Sequence, residues 1–194
     1  MPLVSFFNAG YEKEFYIMVI DIKEKGTREF YEELVNITSQ YRSLIKKPDM
    51  KLRNQFRLLK LYIIICAVFL AALVLMGAFW GVDTMMIVGI VLMVIVIAFC
   101  WAFLKNMNLM VNRYLADQST SILTLDENGV ELDKGGSGTV RLAWENVAFV
   151  RAFDESVVFL AKDVMGFVIG INRGHKQEIL GYLKDSGTSV TVLG

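Results

Sequence analysis

The sequence predicts a membrane α+β protein in which a two-helix transmembrane hairpin is inserted in a cytosolic antiparallel β domain with a C-terminal helix. Two observations predict this fold class. An apolar run over residues 61–104 contains one charged residue, Asp83, and lies near the middle of the 194-residue chain. Short β-prone segments separated by turn residues follow this run. The chain therefore divides into residues 1–48, 49–118 and 119–194, with the membrane segment between two cytosolic ones.

The apolar run is predicted to form two membrane-spanning helices. Residues 61–80 and 85–104 each provide 20 positions without a charge, and a rise of about 1.5 Å per residue matches each to the roughly 30 Å hydrocarbon core. Residues 81–84 between them are typical of a turn in which Asp83 caps the second helix. The alternative, a functional carboxylate inside the membrane, is disfavoured because a charge is costly there.

Positive charges beside the run predict its orientation. Seven lie shortly before the first helix, two follow the second, and the turn between the helices has none. They are Arg42, Lys46, Lys47, Lys51, Arg53, Arg57 and Lys60 before the first helix, and Lys105 and Arg113 after the second. Because positive flanks stay on the cytoplasmic side, we expect a multi-pass protein of the cell membrane with both termini in the cytoplasm.

The basic segment before the first helix is also a candidate lipid contact. Six of its residues are predicted to meet anionic headgroups, each contributing about 1 kcal/mol near such a surface, while Leu52, Phe56 and Leu59 lie toward lipid. The six are Lys46, Lys47, Lys51, Arg53, Arg57 and Lys60. The alternative is that these charges only set the topology, and the sequence alone favours that alternative.

Small residues recur four positions apart within the hairpin. The pairs are Ala67 and Ala71, Gly77 and Gly81, and Ala98 and Ala102. This spacing lets helices approach closely in lipid, so the six residues are candidates for helix packing, either within one chain or between copies in a homo-oligomer. The two cysteines, Cys66 and Cys100, lie at comparable depth, where a reducing cytoplasm and apolar surroundings favour inert thiols over a disulfide.

The segment before the hairpin predicts a strand and an amphipathic helix. Residues 15–22 carry mostly apolar side chains on both alternating faces, so we expect this strand to be covered on both sides. Thr27 is a suitable N-cap for the helix that follows. Its apolar stripe, which is expected to pack against the rest of the domain, consists of Phe30, Leu34, Ile37, Tyr41 and Leu44. Pro48 ends the helical pattern.

The segment after the hairpin predicts an antiparallel β domain closed by a helix. Two β-prone runs meet at Asn128 and Gly129, which favour a type I′ turn with positive φ angles. Further strands are expected to continue one antiparallel meander. They lie at residues 147–153, 156–162 and 166–172. A helix with Ile179, Leu180 and Leu183 on its apolar face ends the segment, which together gives a pleckstrin-homology-like (PH-like) plan.

A long run in this last segment also carries a family resemblance. The run is LAWENVAFVRAFDESVVFLAKDVMGFVIGINRGHKQEILGYL, in which Trp144, Val147 and Val150 precede a strand and Arg173 stands at a strand-to-helix junction. Together with the order of basic segment and two membrane helices, it resembles the YcxB-like family of bacterial membrane proteins. The resemblance covers mainly residues 119–184. It implies a PH-like C-terminal domain at the bacterial inner membrane and no established catalytic residue.

Few residues have the pattern of a catalytic or metal-binding site. His175 is the only histidine, and no nucleophile motif lies around it, so a general base with an oriented partner is not predicted. We therefore expect a non-enzymatic protein without a cofactor or a metal. The formal net charge is zero and the C-terminal segment is acidic, which disfavours a nucleic-acid partner.

These features together favour a membrane-tethered adaptor or scaffold. Its β domain is expected at the cytoplasmic face, where it binds an unidentified protein partner or self-assembles. Two alternatives stay open, an accessory subunit of a membrane transport or pathway complex and an immunity-type protective membrane protein. Because a hairpin returns the chain to the side it left, we also expect the strand at residues 15–22 to complete the C-terminal sheet in one composite domain.

Overall fold

The computed structural model describes residues 17–22, 26–117, 120–164 and 166–193. The chain divides into two compact units. The β unit combines Met1–Met50 with Leu115–Gly194, and the hairpin unit is Lys51–Tyr114. The β unit is therefore built from chain segments on both sides of the hairpin.

The described part of the β unit contains eight strands and three helices. In chain order they are β1 Met18–Ile22, α1 Arg28–Ser39, α2 Tyr41–Lys46, β2 Ser121–Leu125, β3 Gly129–Asp133, β4 Thr139–Ala143, β5 Val147–Ala152, β6 Ser156–Ala161, β7 Val168–Asn172, α5 Lys176–Asp185 and β8 Val192–Leu193. Single 3₁₀ turns occupy Gly135–Ser137, Trp144–Asn146 and Arg173–His175. The hairpin helices are α3 Gln55–Trp80 and α4 Thr84–Ala116.

The first sheet, sheet A, joins the two chain segments that flank the hairpin. Its strands are antiparallel in the order β1-β2-β3-β4. Strand β1 precedes the hairpin and pairs along its whole length with β2, which follows the hairpin, so that Ile20 lies opposite Leu123. The predicted composite domain is thus confirmed by the strand pairing.

The strands after β4 form a second sheet, so the single predicted meander is wrong. Sheet B has the order β7-β6-β5-β8, with β8 parallel to β5. The 3₁₀ turn at Trp144–Asn146 separates β4 from β5 and redirects the chain away from sheet A. The Trp144 indole Nε1 donates to the Asp126 carbonyl oxygen at 2.8 Å, which fixes this corner.

The turn between β2 and β3 also differs from the prediction. Gly129 does not have the positive φ angle of a type I′ turn, and it is the first residue of β3. Instead, Asp126 Oδ1 accepts from the backbone N–H groups of Asn128 and Gly129, both at 2.8 Å, as in an Asx turn. A Cβ on Gly129 would lie 2.3 Å from the Leu142 carbonyl oxygen. Glycine is needed here because β4 approaches closely.

The core of the β unit lies between the two sheets and α5. The buried residues of sheet A that contribute to it are Ile20, Leu123, Leu125, Val130, Leu132 and Leu142. Those of sheet B are Val147, Val150, Val157, Phe159, Ala161, Ile169 and Ile171, and α5 adds Ile179 and Leu183. The predicted apolar face of the last helix is thereby confirmed, with Leu180 half-buried against the same core.

Helices α1 and α2 cover the other face of sheet B. Thr27 caps α1 as predicted, since its Oγ1 accepts from the Phe30 N–H at 3.2 Å. The predicted single helix is interrupted at Gln40, which leaves the helical conformation. The stripe nevertheless packs inward as expected: Phe30, Ile37, Tyr41 and Leu44 are buried, and Leu34 is half-buried. Helix α1 contacts β6 and β7.

The described residues cover strand β1 on one face only, whereas both faces were expected to be covered. Ile20 is buried, whereas the side chain of Val19 is 57% exposed. Residues 15 and 16 of the predicted strand lie outside the described residues. Ile122 on the neighbouring strand is also exposed, at 42%, so the uncovered face carries more than one apolar side chain.

The two hairpin helices are longer than the apolar run from which they were predicted. Helix α3 begins six residues before Leu61, where Asn54 Oδ1 accepts from the Arg57 N–H at 3.0 Å. Asp83 caps α4 as predicted, accepting from the Met86 N–H at 2.7 Å. Gly81 ends α3 with φ +86°. Mean hydropathies of 2.8 and 3.0 make both helices long and apolar enough to span a bilayer.

Candidate membrane-anchoring site

The surface of the hairpin unit is the largest exposed apolar surface in the described part of the chain. In the most hydropathic 18 residues of each helix, none is buried within the protein. Side chains that are more than half exposed include Val68, Phe69, Leu75, Ile87, Leu92, Ile95 and Phe99. Contiguous apolar surface on this scale marks a site of interaction with a membrane or with another protein.

A row of half-buried side chains runs along each helix of the hairpin. On α3 the row is Ile63, Cys66, Leu70, Leu73 and Gly77, and on α4 it is Met86, Ile90, Met93, Ile97, Cys100 and Leu104. The spacings alternate between three and four residues, which is the seam of a left-handed helix pair. Leu73 meets Gly89 in this seam, because a Cβ on Gly89 would lie 3.6 Å from Leu73 Cδ1.

Four of the six predicted helix-packing residues lie outside this seam. Ala67, Ala71, Ala98 and Ala102 are exposed. Gly77 is in the seam, where an added Cβ would lie 3.4 Å from Met86 Cε, and Gly81 has open space around it at the turn. Packing within one chain therefore uses Gly77, and contact between copies through the alanines stays a prediction.

The two cysteines lie in the seam as free thiols. Cys66 and Cys100 are both half-buried, and neither forms a disulfide. A thiol in apolar surroundings behaves as a small hydrophobic side chain. The two residues are therefore packing groups of the hairpin.

Aromatic and basic side chains mark the two ends of the hairpin. At the turn, Phe79 and Trp80 are 81% and 80% exposed. At the other end, Lys105 Nζ lies 5.4 Å from the centroid of the Trp101 ring. Tryptophan rings concentrate at membrane–water boundaries, and lysine reaches outward from them.

The predicted basic lipid contacts are all exposed. Lys46 and Lys47 belong to the β unit, and Lys51, Arg53, Arg57 and Lys60 belong to the hairpin unit. Of the apolar residues predicted to face lipid beside them, Phe56 does not do so. Phe56 is 3% exposed, and Leu52 and Leu59 are half-buried. Phe56 lies in the first turn of α3, and its side chain is buried within the protein.

A buried carboxylate joins α1 to the turn between β5 and β6. Glu33 accepts from Ser156 Oγ at 2.6 Å and from the Glu155 N–H at 3.2 Å. Both Glu33 and Ser156 are buried. Burial raises the pKa of the Glu33 carboxyl, these hydrogen bonds oppose the rise, and the nearby charge of Asp154 adds to it. These hydrogen bonds fix the position of α1 against sheet B.

Two further polar contacts hold the chain between α1 and the hairpin unit. The Tyr41 hydroxyl donates to the Ala161 carbonyl and, at 3.4 Å, to that of Lys162, and burial raises the pKa of this hydroxyl. Arg151 Nη1 donates to the Pro48 carbonyl and, at 2.9 Å, to that of Met50. These contacts fasten the last residues of the N-terminal segment to strands β5 and β6.

Glu33 and Arg151 were not predicted as structural contacts, because neither stands out from the sequence around it. Glu33 lies three residues after Phe30, within the inward stripe of α1, and its position in that stripe was the available signal. Ser156 was a second signal, since it is the polar residue of an otherwise apolar strand. Nothing in the spacing of Arg151 indicates that its partners are the carbonyl groups of residues 48 and 50.

Few of the described side chains around the start of α5 are arranged for catalysis or metal binding. His175 Nδ1 lies 3.2 Å from Glu178 Oε2, next to an open surface pocket of about 400 Å³ that includes Arg173 and Lys176. Among the described residues, no three His, Cys, Asp or Glu side chains are grouped so that they could hold a metal ion. The absence of a cofactor stays a prediction.

Comparisons with known proteins do not add to this description. No family model, no curated protein and no solved structure matches the chain significantly. The candidate site therefore rests on the residues and geometry described above.

Proposed function

We propose that the chain is a membrane-tethered adaptor that presents a PH-like domain at the cytoplasmic face of a bacterial inner membrane, for protein interaction or self-assembly. The pairing of β1 with β2 carries the proposal, because it brings the chain before the hairpin and the chain after it into one sheet. The hairpin is an insertion in a folded domain and serves as its anchor.

The same pairing supports the proposed topology. Met18 lies opposite Leu125 and Ile22 opposite Ser121, so the chain must return to the strand from which it departed. Two spanning helices return it to the same side, whereas one does not. Six positive residues of the hairpin unit flank the apolar run and none lies in the turn, which supports a cytoplasmic position for the β unit.

The fold of the β unit supports the PH-like assignment. One antiparallel sheet and one mixed sheet enclose a core to which the C-terminal helix contributes Ile179 and Leu183. The resemblance of residues 119–184 to the YcxB-like family points the same way. A fold of this kind supports many activities, and the adaptor role rests on the combination of an anchor with a domain that has no evident catalytic constellation in its described residues.

The topology is tested by cysteine labelling in intact cells. In a Cys66→Ala/Cys100→Ala background, one variant carries Val82→Cys in the hairpin turn and a matched variant carries Lys184→Cys on α5. A membrane-impermeant maleimide is expected to label position 82 from outside, and position 184 only after permeabilisation. Labelling of position 184 in intact cells would contradict the proposed orientation.

The adaptor role is tested by crosslinking in native membranes. An amine-reactive crosslinker is expected to yield a discrete species larger than the 21.9 kDa monomer, either a multimer of this chain or a complex with one partner. Membranes denatured with SDS before crosslinking provide the control. Recovery of the monomer alone at every crosslinker concentration would overturn the adaptor proposal.

A further inference from the structure

Charge is distributed very unevenly along the hairpin unit. Its basic residues all lie at the end away from the turn: Lys51, Arg53, Arg57, Lys60, Lys105 and Arg113. Its single acidic residue, Asp83, lies in the turn at the opposite end. The basic end therefore carries six formal positive charges, and the turn end carries one negative charge.

The structure extends both helices past the apolar run at this end. Helix α3 begins six residues before Leu61, about 9 Å along the axis, and α4 continues from Leu104 to Ala116, about 18 Å. Arg57 and Lys60 stand three residues apart on α3, so they share one helix face, and both are exposed. Arg57, Lys60 and Lys105 are thus displayed on helices at the boundary of the apolar region, and Lys51 and Arg53 lie in the segment just before α3.

The contact between Trp101 and Lys105 lies at the same end of the apolar run and supports this boundary. Lys105 Nζ lies 5.4 Å from the centroid of the indole ring, one helical turn beyond it. An indole at the headgroup level with an ammonium group above it is the arrangement that favours the interface of a bilayer. Lys60 immediately precedes the apolar run on α3, so lysines flank the run on both helices.

We propose that the basic end of the hairpin unit, defined by Lys51, Arg53, Arg57, Lys60 and Lys105, binds the headgroups of anionic phospholipids. The occupant follows from charge complementarity, because each cation near an anionic leaflet gains from its negative surface potential. The proposal rests on the membrane insertion of the hairpin proposed above. Headgroup binding is a stronger claim than membrane orientation, because charges that only set the topology need show no preference among lipids.

Lipid selectivity in reconstituted membranes tests the proposal. The full-length protein is placed in phosphatidylcholine vesicles with a trace of spin-labelled phosphatidylglycerol or spin-labelled phosphatidylcholine, and the motionally restricted fraction of each label is measured. The wild type is expected to favour phosphatidylglycerol severalfold. The variant Lys51→Gln/Arg53→Gln/Arg57→Gln/Lys60→Gln is expected to lose most of this preference, and 1 M NaCl is expected to reduce it in the wild type.

A matched control separates a local effect from a change in net charge. The variant Lys134→Gln/Lys162→Gln/Lys176→Gln/Lys184→Gln removes the same number of charges from the β unit and is expected to keep the wild-type preference. Equal loss in both variants, or no preference in the wild type, overturns the proposal. Should the first variant fail to reconstitute, Arg57→Gln/Lys60→Gln and the salt dependence of the wild type give the same decision.

Extraction with alkaline carbonate distinguishes this proposal from the one on which it rests. Protein that carbonate releases from native membranes is not inserted, and both proposals then fail. Protein that resists carbonate but shows no preference for phosphatidylglycerol refutes lipid binding by the basic end and leaves the membrane anchor intact.

Discussion

Among the described residues, sheet B is covered on both of its faces, whereas sheet A is covered on one. Every residue of β6 is buried, with Phe159 facing the shared core and Leu160 facing the opposite way. On β1, only Ile20 is buried. The difference comes from α1 and α2, which lie on sheet B. The N-terminal segment therefore contributes an edge strand to one sheet and a covering layer to the other.

Phe159 and Val19 lie in the two environments that differ most, the buried core and the exposed face of sheet A. Phe159→Ala is expected to lower the free energy of unfolding by about 3–5 kcal/mol, because it leaves a cavity in a fully buried site. Val19→Ala on β1 is expected to cost less than about 0.5 kcal/mol, as surface substitutions usually do.

Urea unfolding in detergent micelles measures both variants. A Trp80→Phe/Trp101→Phe background leaves Trp144 as the reporter, and its ring lies 6.4 Å from that of Phe159. Comparable losses in the two variants would show that the outer face of sheet A is covered after all.

Two glycines, one in each sheet, allow a close approach to different kinds of neighbour, a backbone carbonyl group and a side chain. Gly129→Ala in sheet A would place Cβ 2.3 Å from the Leu142 carbonyl oxygen and is expected to cost about 3 kcal/mol, since backbone does not yield easily. Gly170→Ala in sheet B would meet Leu34 Cδ2 at 2.2 Å and is expected to cost about 1 kcal/mol, since that side chain can rotate away.

A double variant checks the explanation for Gly170. Truncating Leu34 to Ala makes room for the new methyl group, so Gly170→Ala/Leu34→Ala is expected to lose less stability than the sum of the two single variants in the same urea assay. Additive losses would mean that α1 does not press on β7 at this point.

The sequence was sufficient for the features that depend on local patterns. The length of the two charge-free runs predicted the hairpin helices, and capping chemistry predicted the caps at Thr27 and Asp83. Apolar periodicity predicted the inward stripe of α1 and α2. The structure has all of these features. The pairing of β1 with β2 was also predictable, because a hairpin that returns to its starting side leaves the two strands as neighbours.

The features that were missed depend on contacts between distant residues. A one-turn connection at Trp144 gives no local sign that the next strand will join another sheet. Gly129 was assigned to a turn by its neighbour Asn128, whereas the requirement for glycine comes from Leu142 on another strand. In the candidate site, Glu33 and Arg151 have partners more than 100 residues away in the chain, which spacing alone cannot reveal.

Tyr41 tests how firmly the covering layer is attached to sheet B. Tyr41→Phe removes the hydroxyl that donates to the Ala161 carbonyl and keeps the ring, so it is expected to cost about 1 kcal/mol in the same urea assay. Tyr62→Phe in the hairpin unit, where the side chain is 57% exposed, serves as the matched control and is expected to change nothing. Equal changes in the free energy of unfolding of the two variants would mean that this hydrogen bond does not help to attach the helices to sheet B.

Glu33 tests the same attachment through pH and is expected to have the smallest effect. Burial raises the pKa of its carboxyl above the ordinary value of 4.5, so the folded state binds the proton more tightly than the unfolded state. The contribution of this group to the free energy of unfolding is therefore largest below pH 4.5 and is lost as the pH rises through the folded pKa. Glu33→Gln lacks this contribution, so the wild type should lose stability relative to the variant between pH 4.5 and 7. Parallel stability curves over that range would mean that Glu33 is solvated like a surface carboxylate, and that α1 is attached to sheet B by its apolar stripe and Tyr41 alone.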